Sequence, residues 1–116
     1  APGRALMLRM AEDRCLALYT LVEYKKLENQ IKSLNINNAE QRLLQRSFFN
    51  SVTDVELDSA GRLLIPKHFQ IYAGLEKDIM VAGNGTRIEM WNSENYLKNS
   101  FKEPTDGDTL VEKDLS

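Results

Sequence analysis

A chain of 116 residues with 42% hydrophobic and 28% charged residues has the size and composition of one ordinary globular domain. It contains no apolar run of the roughly 18–20 residues that cross a bilayer, and its N-terminus lacks the layout of a signal peptide. A single cysteine, Cys15, excludes an internal disulfide framework and is typical of a reducing compartment. We therefore expect a cytoplasmic protein with no membrane partner.

The net charge of −2 is unevenly distributed. Residues 103–116 hold five acids and one base, a net charge of −4, so residues 1–102 carry +2. Within that part, residues 25–46 hold five bases against two acids. The sparse apolar residues of 103–116, together with Pro104, predict a flexible acidic tail. The overall acidity is thus weak evidence either way about a nucleic-acid partner, whose affinity depends on local cations.

The start of the chain predicts a strand pair followed by a helix. Residues 6–10 and 15–19 are the expected strands, and residues 11–14 form a polar turn between them. The second strand alternates leucine with other side chains, a pattern typical of a half-buried strand: Cys15, Leu16, Ala17, Leu18 and Tyr19. Thr20 then opens a helix, with Glu23 three residues on to complete a capping box.

Two successive helices are expected before the chain returns to β-structure. The first carries apolar residues at spacings of three and four: Tyr24, Leu27, Ile31 and Leu34. Asn38 can cap the second helix, with Gln41 at its third position, and Leu44 and Phe48 lie one turn apart. The pattern predicts an αα-hairpin that links two β-rich parts.

The second β-rich part begins with an alternating strand at residues 54–58. A turn at residues 59–61 and a second strand at residues 62–65 follow. Pro66 suits the first position of a short helix, because its missing N–H would have no partner there. That helix is expected at residues 67–73.

The remaining elements are punctuated by glycine and asparagine. Gly74 is a natural left-handed cap for the short helix. Residues 79–82 and 86–91 predict a hairpin around the turn 83–85, since Asn-Gly between apolar runs is a strong hairpin signal. Asn92 can cap a last helix that carries three large apolar residues: Tyr96, Leu97 and Phe101.

A shift of 72 residues aligns the two β-rich parts without a gap. The matched pairs are Leu8 with Met80, Leu16 with Ile88, Leu18 with Met90, Tyr19 with Trp91, and Tyr24 with Tyr96. Residue identity is low, so chance similarity between two strand pairs is the alternative to an internal repeat. The counterpart of residues 55–72 would precede Ala1, which predicts that the first repeat is truncated or that the sequence omits residues.

The turn from Asp58 to Arg62 has two interpretations. In the structural one, Asp58 accepts hydrogen bonds from backbone N–H groups two or three residues on, and Gly61 adopts positive φ. The Arg62 guanidinium then forks onto the Asp58 carboxylate. In the functional one, Arg62 projects from a rigid tip, where a guanidinium suits phosphate or the O6/N7 edge of guanine.

Residues 55–66, with the sequence VELDSAGRLLIP, resemble the signature of the MraZ family of bacterial transcription regulators. Residues 73–75, 88–91 and 15–19 resemble the same family, and the similarity covers roughly residues 7–98. The resemblance implies an α+β fold: a swapped-hairpin-like β-barrel of two SpoVT/AbrB-type repeats joined by an α-helical hairpin. The implied divisions are residues 1–37 (remnant of the first repeat with its helix), 38–51 (linking helix), 52–102 (second repeat) and 103–116 (flexible acidic tail).

The resemblance also implies a function. It predicts a ring-shaped homo-oligomer in the bacterial cytoplasm, associated with the nucleoid. Its implied partner is promoter DNA, bound at direct repeats ahead of the division and cell-wall gene cluster. The alternative is an oligomeric assembly module that makes no direct contact with DNA.

The site residues follow from matching the family motif to this chain. The Asp-x-x-x-Arg motif falls on Asp58 and Arg62, and no residues match its first-repeat copy, so this chain is expected to bind DNA poorly on its own. We predict that Arg62 contacts DNA. Lys67 and His68 are further candidates, since they begin a helix whose N–H groups favour a phosphate; two exposed polar residues without a role are the alternative. The residues expected to shape the turn are Asp58, Gly61 and Pro66.

No motif indicates an enzyme, a metal site, a cofactor or a small-molecule substrate. Cys15 and His68 are the only residues of their types, so no zinc cluster can be assembled, and a catalytic pair between them has no supporting motif. The Gly-Asn-Gly turn at 83–85 lacks the Gly-Lys-Ser/Thr of a phosphate loop. Tyr19 and Trp91 are expected to anchor the core or a subunit interface.

Overall fold

The computed structural model describes residues 5–100, which form an α+β arrangement of one five-stranded antiparallel sheet and four helices. The elements are β1 (Ala5–Met10), a 3₁₀ turn (Glu12–Arg14), β2 (Leu16–Thr20), α1 (Leu21–Lys32), α2 (Ala39–Asn50), β3 (Val52–Glu56), α3 (Lys67–Ala73), β4 (Ile79–Asn84), β5 (Arg87–Asn92) and α4 (Ser93–Ser100). The strand order is β3-β1-β2-β5-β4, so β2 and β5 pair at the centre of the sheet. No helix within the described range is long and apolar enough to cross a membrane.

The three predicted helix caps are confirmed. The side chains of Thr20, Asn38 and Asn92 accept hydrogen bonds from the backbone N–H three residues on, at 3.2, 3.0 and 2.9 Å. The reciprocal half of the capping box at Thr20 is wrong, because the Glu23 carboxylate binds the Lys26 ammonium at 3.3 Å instead. Local side-chain chemistry therefore sets where α1, α2 and α4 begin.

Strand β2 is buried on both faces, whereas its alternation predicts a half-buried strand. Cys15, Ala17 and Tyr19 lie in a cluster with α1 and α2, and Leu16 lies in the cluster on the other face. The prediction fails because helices cover both sides of the sheet, so both sets of side chains leave water.

Each face of the sheet has its own core. One core joins α1, α2 and α4 to the sheet through aromatic residues: Tyr19, Tyr24, Phe48 and Trp91, with Tyr96 packed against them. The other core joins α3 and β3 to the sheet: Leu8, Leu16, Val55, Phe69, Ala73 and Met90. Tyr19 and Trp91 are 4% and 7% exposed, as expected of core anchors.

The predicted strand at residues 62–65 does not form. Only one bridge, between Leu57 and Leu63, extends the pairing beyond β3. Leu64 is 85% exposed, so it has no neighbouring strand on which to pack. Pro66 is extended, with ψ of 144°, and immediately precedes α3 rather than occupying its first position. Its carbonyl accepts from the N–H groups of Phe69 and Gln70, which starts the helix. Gly74 ends α3 in the predicted left-handed conformation.

The sheet is open, so the predicted closed barrel is wrong for residues 5–100. Strands β3 and β4 are its two edges, and closure would need a further strand between them, which the described part of the chain does not supply. The hairpin turn is also displaced by one residue from the prediction. Asn84 pairs with Arg87, which leaves Gly85 and Thr86 as the turn. Positive φ occurs at Gly85 alone of these two, as a type II′ turn requires. Phe101 and the acidic tail at 103–116 lie outside the described residues.

Candidate nucleic-acid interface

The turn after β3 is organised by one carboxylate. Asp58 Oδ1 accepts hydrogen bonds from the backbone N–H groups of Ala60 and Arg62, at 2.9 and 2.8 Å. The backbone also closes the turn, because Asp58 N–H donates to the Arg62 carbonyl at 2.9 Å and Gly61 N–H to the Asp58 carbonyl at 3.0 Å. Gly61 has φ of 79°, a conformation that costs a residue with a Cβ more than it costs glycine. The predicted structural roles of Asp58 and Gly61 match this geometry.

The Arg62 side chain is braced but remains accessible. Its Nε donates to Asp58 Oδ2 at 2.9 Å, while the side chain is 80% exposed. The predicted fork is wrong, because one guanidinium nitrogen rather than two meets the carboxylate. Within residues 5–100 the two Nη groups of Arg62 make no hydrogen bond. The guanidinium is therefore oriented by Asp58 and keeps its outer edge for a ligand.

The charge of the brace is stable near neutral pH. The backbone N–H of Arg62 is the main cause that lowers the pKa of Asp58; burial opposes it, and the Arg62 side chain and the Ala60 N–H reinforce it. Asp58 therefore stays ionised and continues to hold Arg62. A carboxylate used in this way would repel a phosphate if it pointed at DNA, so the geometry favours Asp58 as the support and Arg62 as the contact.

The segment between the turn and α3 is anchored to the core. Leu63 and Ile65 pack against the core that contains Phe69. The Gln70 side-chain amide donates to the Ile65 carbonyl at 2.7 Å. The turn thus projects from a fixed base although residues 62–65 form no strand.

Lys67 and His68 are both exposed in the first turn of α3. The His68 ring contacts the Phe69 ring edge-on, with centroids 4.7 Å apart. No hydrogen bond or ion pair among the described residues joins either side chain to the Asp58 turn. The geometry therefore leaves the two candidates accessible but does not bring them together with Arg62 through a direct contact.

Few cations surround Arg62. A shallow cleft beside it is lined by Glu56, Asp58, Leu63 and Leu64 as well as Arg62 itself. One guanidinium beside two carboxylates gives little affinity for a polyanion, since affinity grows with the number of phosphates neutralised. Any strong binding through this loop therefore requires several copies of it.

Sequence reasoning missed a polar cluster where the two hairpins meet. Arg87 donates from Nε to Glu89 at 2.9 Å, from Nη1 to the Tyr19 hydroxyl at 3.2 Å and from Nη2 to Glu12 at 3.1 Å. Glu89, 8% exposed, also accepts from the Trp91 indole at 3.1 Å. Alternation along β5 places Arg87, Glu89 and Trp91 on one face of the strand, which is the only local signal of this cluster.

Ionisation of this cluster is set by its hydrogen bonds. Burial disfavours the charged form of Glu89, but hydrogen bonds from Asn84, Arg87 and Trp91 outweigh it and lower the pKa of the carboxyl. Burial likewise opposes the charge of Arg87, whereas bonds to Tyr19 and Glu89 raise the pKa of its guanidinium. The cluster therefore joins the two hairpins as a charged, hydrogen-bonded unit.

The geometry offers no catalytic thiol and no metal centre within residues 5–100. Cys15 is 1% exposed, and burial, followed by the nearby charge of Glu89, raises its pKa to about 11. Such a thiol is the opposite of an activated nucleophile. No group of three or more potential metal ligands occurs in the described range.

Comparison with known proteins places this loop in a family. The MraZ protein family model matches residues 48–106, which include the whole Asp58–Arg62 turn. The chain is 41% identical to the transcriptional regulator MraZ of Cytophaga hutchinsonii over 98% of its own length and 75% of the relative's. It is 36% identical to the proteins of the same name from Heliobacterium modesticaldum and Acetivibrio thermocellus, over 96% of its own length and 78% of theirs. The chain therefore belongs to the MraZ family of transcriptional regulators, which are not enzymes.

Proposed function

We propose that this chain is a sequence-specific DNA-binding regulator that acts as a homo-oligomer on repeated promoter sites. The observation that carries the proposal is the braced and exposed guanidinium of Arg62, held by Asp58 at the tip of an anchored turn. Guanidinium groups held in this way suit a phosphate or the O6/N7 edge of guanine. In this proposal Arg62 contacts DNA, Lys67 and His68 add contacts from α3, and the residues that shape the support are Asp58, Gly61 and Pro66.

Oligomerisation follows from the shortage of cations at the turn. One arginine per chain is weak, but several copies at fixed spacing gain affinity through their effective concentration. Direct repeats in a promoter provide the matching spacing, and a ring is the closed form of such an assembly. Strand β4 supports a contact between copies because its outer edge is unpaired in the described sheet. The side chains of Ile79, Met80 and Val81 on this strand are 36%, 37% and 58% exposed.

We also propose that the fold is built from two repeats offset by 72 residues. The central pairing supports this, since Leu16 faces Met90, Ala17 faces Glu89 and Leu18 faces Ile88. The pairs are the ones that a twofold axis between Ala17 and Glu89 generates from the shift found in the sequence.

Two local features follow the same offset. Positive φ occurs at Asp13 in the first hairpin and at Gly85 in the second, with values of 60° and 65°. Thr20 and Asn92, which are also 72 residues apart, cap α1 and α4. On this basis residues 1–37 and 52–102 are the two repeats, residues 38–51 link them, and 103–116 are the tail.

The target of the proposed regulator is the promoter of the division and cell-wall gene cluster, and its location is the bacterial cytoplasm at the nucleoid. These parts rest on family membership and on the name of the relatives, transcriptional regulator. They are proposals for this chain.

Fluorescence anisotropy with a labelled promoter fragment that contains direct repeats tests the proposal. We expect salt-dependent binding, and we expect Arg62→Ala to weaken it by roughly 5- to 150-fold for each contact of about 1–3 kcal/mol that is lost. Lys98→Ala is the matched control: it removes an exposed cation from α4, on the other side of the sheet, and should change affinity little. Equal effects of the two variants would reject a specific role for Arg62.

The second candidate is an assembly module that does not touch DNA. The exposed apolar side chains on β4 favour it, since the turn offers only one cation. Light scattering after gel filtration would then give an oligomer, while the same preparation would leave promoter DNA unbound at low salt. Binding that disappears in Arg62→Ala would exclude this candidate.

A further inference from the structure

The two helices of the αα-hairpin differ in how their cations are compensated. On α1, Lys25 and Lys32 both bind Glu28, at 3.0 and 3.5 Å, and Lys26 binds Glu23. On α2, the Arg42 guanidinium donates to a backbone carbonyl, that of Ile36, at 2.8 Å. Arg46 makes no ion pair or hydrogen bond within residues 5–100. The cations of α1 are thus neutralised by carboxylates, whereas those of α2 are not.

The same side of α2 exposes large apolar side chains. Leu43 and Phe49 are 60% and 40% exposed. Helical geometry places them beside Arg42 and Arg46, which are one turn apart, and Phe49 lies a further turn along the same line. We call these four residues the outer face of α2. The acid of this helix, Glu40, lies about 120° around the axis from Arg46.

This surface is ordered by the core beneath it. The ring of Phe49 meets the buried ring of Phe48 edge-on, with centroids 5.2 Å apart. Phe48 in turn stacks on Tyr24 at 5.9 Å. An exposed aromatic ring held in position next to unpaired cations has the chemistry of a docking surface for an acidic segment with apolar residues.

We propose that the outer face of α2 binds the acidic C-terminal tail of the same chain. Residues 106–115 alternate acids with apolar residues: Asp106, Asp108, Leu110, Val111, Glu112, Asp114 and Leu115. The acids match Arg42 and Arg46, and the apolar residues match Leu43 and Phe49. Residues 103–116 carry a net charge of −4, so the tail is the most acidic part of the sequence and is joined covalently to the domain.

The position of α4 makes this contact reachable. Tyr96 on α4 packs against the core that holds Phe48 of α2, so both helices lie on the same side of the sheet. The chain therefore leaves α4, at Ser100, on the side where the outer face lies. The segment from residue 101 to residue 112 can span up to about 40 Å when extended. The largest dimension of the protein is 45 Å, so nearer parts of the same side are within reach.

Two other occupants fit less well. A DNA backbone would neutralise Arg42 and Arg46, but it would leave Leu43 and Phe49 in water beside phosphates. A second copy that docked the same face against itself would bring the unpaired arginines of both copies together. The acid–apolar composition of the tail satisfies both kinds of side chain at once.

Paramagnetic relaxation in the full chain tests the contact without DNA, so its result is independent of the proposed regulatory function. A nitroxide label is attached to Val111→Cys, since buried Cys15 does not compete for the reagent near neutral pH. We expect the amide signals of Leu43 and Arg46 to lose most of their intensity, and those of Phe69 and Gln70 on the opposite face to keep it. At 1 M salt, where the screening length is about 3 Å, the effect should weaken strongly.

Charge reversal is the matched test. The double variant Arg42→Glu with Arg46→Glu should abolish the loss of signal on α2. Lys67→Glu with Lys77→Glu reverses two exposed cations elsewhere and should leave the loss unchanged. The proposal is overturned if the signals near Arg62 are broadened instead, or if those of α2 keep their intensity. It is also overturned if the effect arises only between labelled and unlabelled molecules in a mixture, which would assign the surface to a second copy.

Discussion

Asp58 holds Arg62 at two separate atoms, the backbone nitrogen at 2.8 Å and the side-chain Nε at 2.9 Å. The same carboxylate accepts from the Ala60 N–H, so three donors converge on one side chain. This arrangement separates the roles of the two motif residues. Asp58 sets the shape of the turn, and Arg62 presents charge to a ligand.

Asp58→Ala should loosen the turn without unfolding the domain. The Arg62 and Ala60 amides lose their acceptor, so we expect faster hydrogen exchange at both, measured by NMR. Ser59→Ala is the control, because the Ser59 side chain makes no hydrogen bond among the described residues and should leave exchange unchanged. Unchanged exchange in Asp58→Ala would show that the backbone bonds alone hold the turn.

The acid side of the stability profile should depend on Glu89. Its pKa is lowered in the folded state, so the carboxylate contributes stability that is present above its ordinary value of 4.5 and is lost as pH falls through the folded value. Glu89→Gln should cost about 1–3 kcal/mol at pH 7, because Arg87 loses its charged partner. The variant should also show a shallower loss of stability below pH 4.5 in urea unfolding.

Glu76→Gln is the control for this experiment. Glu76 is exposed and forms no ion pair within the described range. Its unfolding free energy should follow the parent protein across the same pH series. Parallel curves for Glu89→Gln and the parent would contradict a role for Glu89 in acid stability.

The Cys15 thiol should be protected until the protein unfolds. It is 1% exposed, and its pKa is raised from 9.0 to about 11. At pH 8 we expect a thiol reagent to react slowly in buffer and fast in denaturant, followed by absorbance. A raised folded pKa gives stability that is present below pH 9 and is lost as pH rises through about 11. This alkaline loss should be absent in Cys15→Ala.

Gly74→Ala should destabilise the protein by about 1–2 kcal/mol, because Gly74 has φ of 61° at the end of α3. Space is not the cause: an added Cβ would meet only Asn92, at 3.9 and 4.0 Å. Gly83→Ala adds a Cβ into open space without positive φ, so it should cost much less. Thermal unfolding of the two variants compares them directly, and equal costs would contradict the backbone explanation.

The sequence predicted the features that depend on near neighbours. The caps at Thr20, Asn38 and Asn92 each need one acceptor three residues ahead of its donor, and all three formed. The Asp58 turn likewise depends on four residues that follow it. Such features are visible in the sequence because the interacting groups lie within one turn of chain.

The features that failed depend on what packs from a distance. Burial of both faces of β2 requires α3 on one side and α1 on the other, which its alternation cannot reveal. Residues 62–65 have strand propensity, but only Leu63 finds a partner. The bond from Arg87 to Glu12 joins residues 75 positions apart, so nothing local in the sequence points to it.

Leu8 and Met80 occupy matching positions under the 72-residue shift but differ in burial. Leu8 is 0% exposed beneath β3 and α3, whereas Met80 is 37% exposed on the edge strand β4. Leu8→Ala should therefore cost about 2–5 kcal/mol, as expected for a buried leucine. Met80→Ala removes atoms that already meet water, so its cost in the same monomeric preparation should stay below about 1.5 kcal/mol.

Raising the protein concentration distinguishes intrinsic packing from assembly. If β4 is a contact between copies, the cost of Met80→Ala should grow with concentration, because binding to the folded state adds stability by mass action. The cost of Leu8→Ala should stay constant over the same range. Urea unfolding at several concentrations measures both, and a concentration-independent cost for Met80→Ala would show that Met80 contributes nothing to assembly.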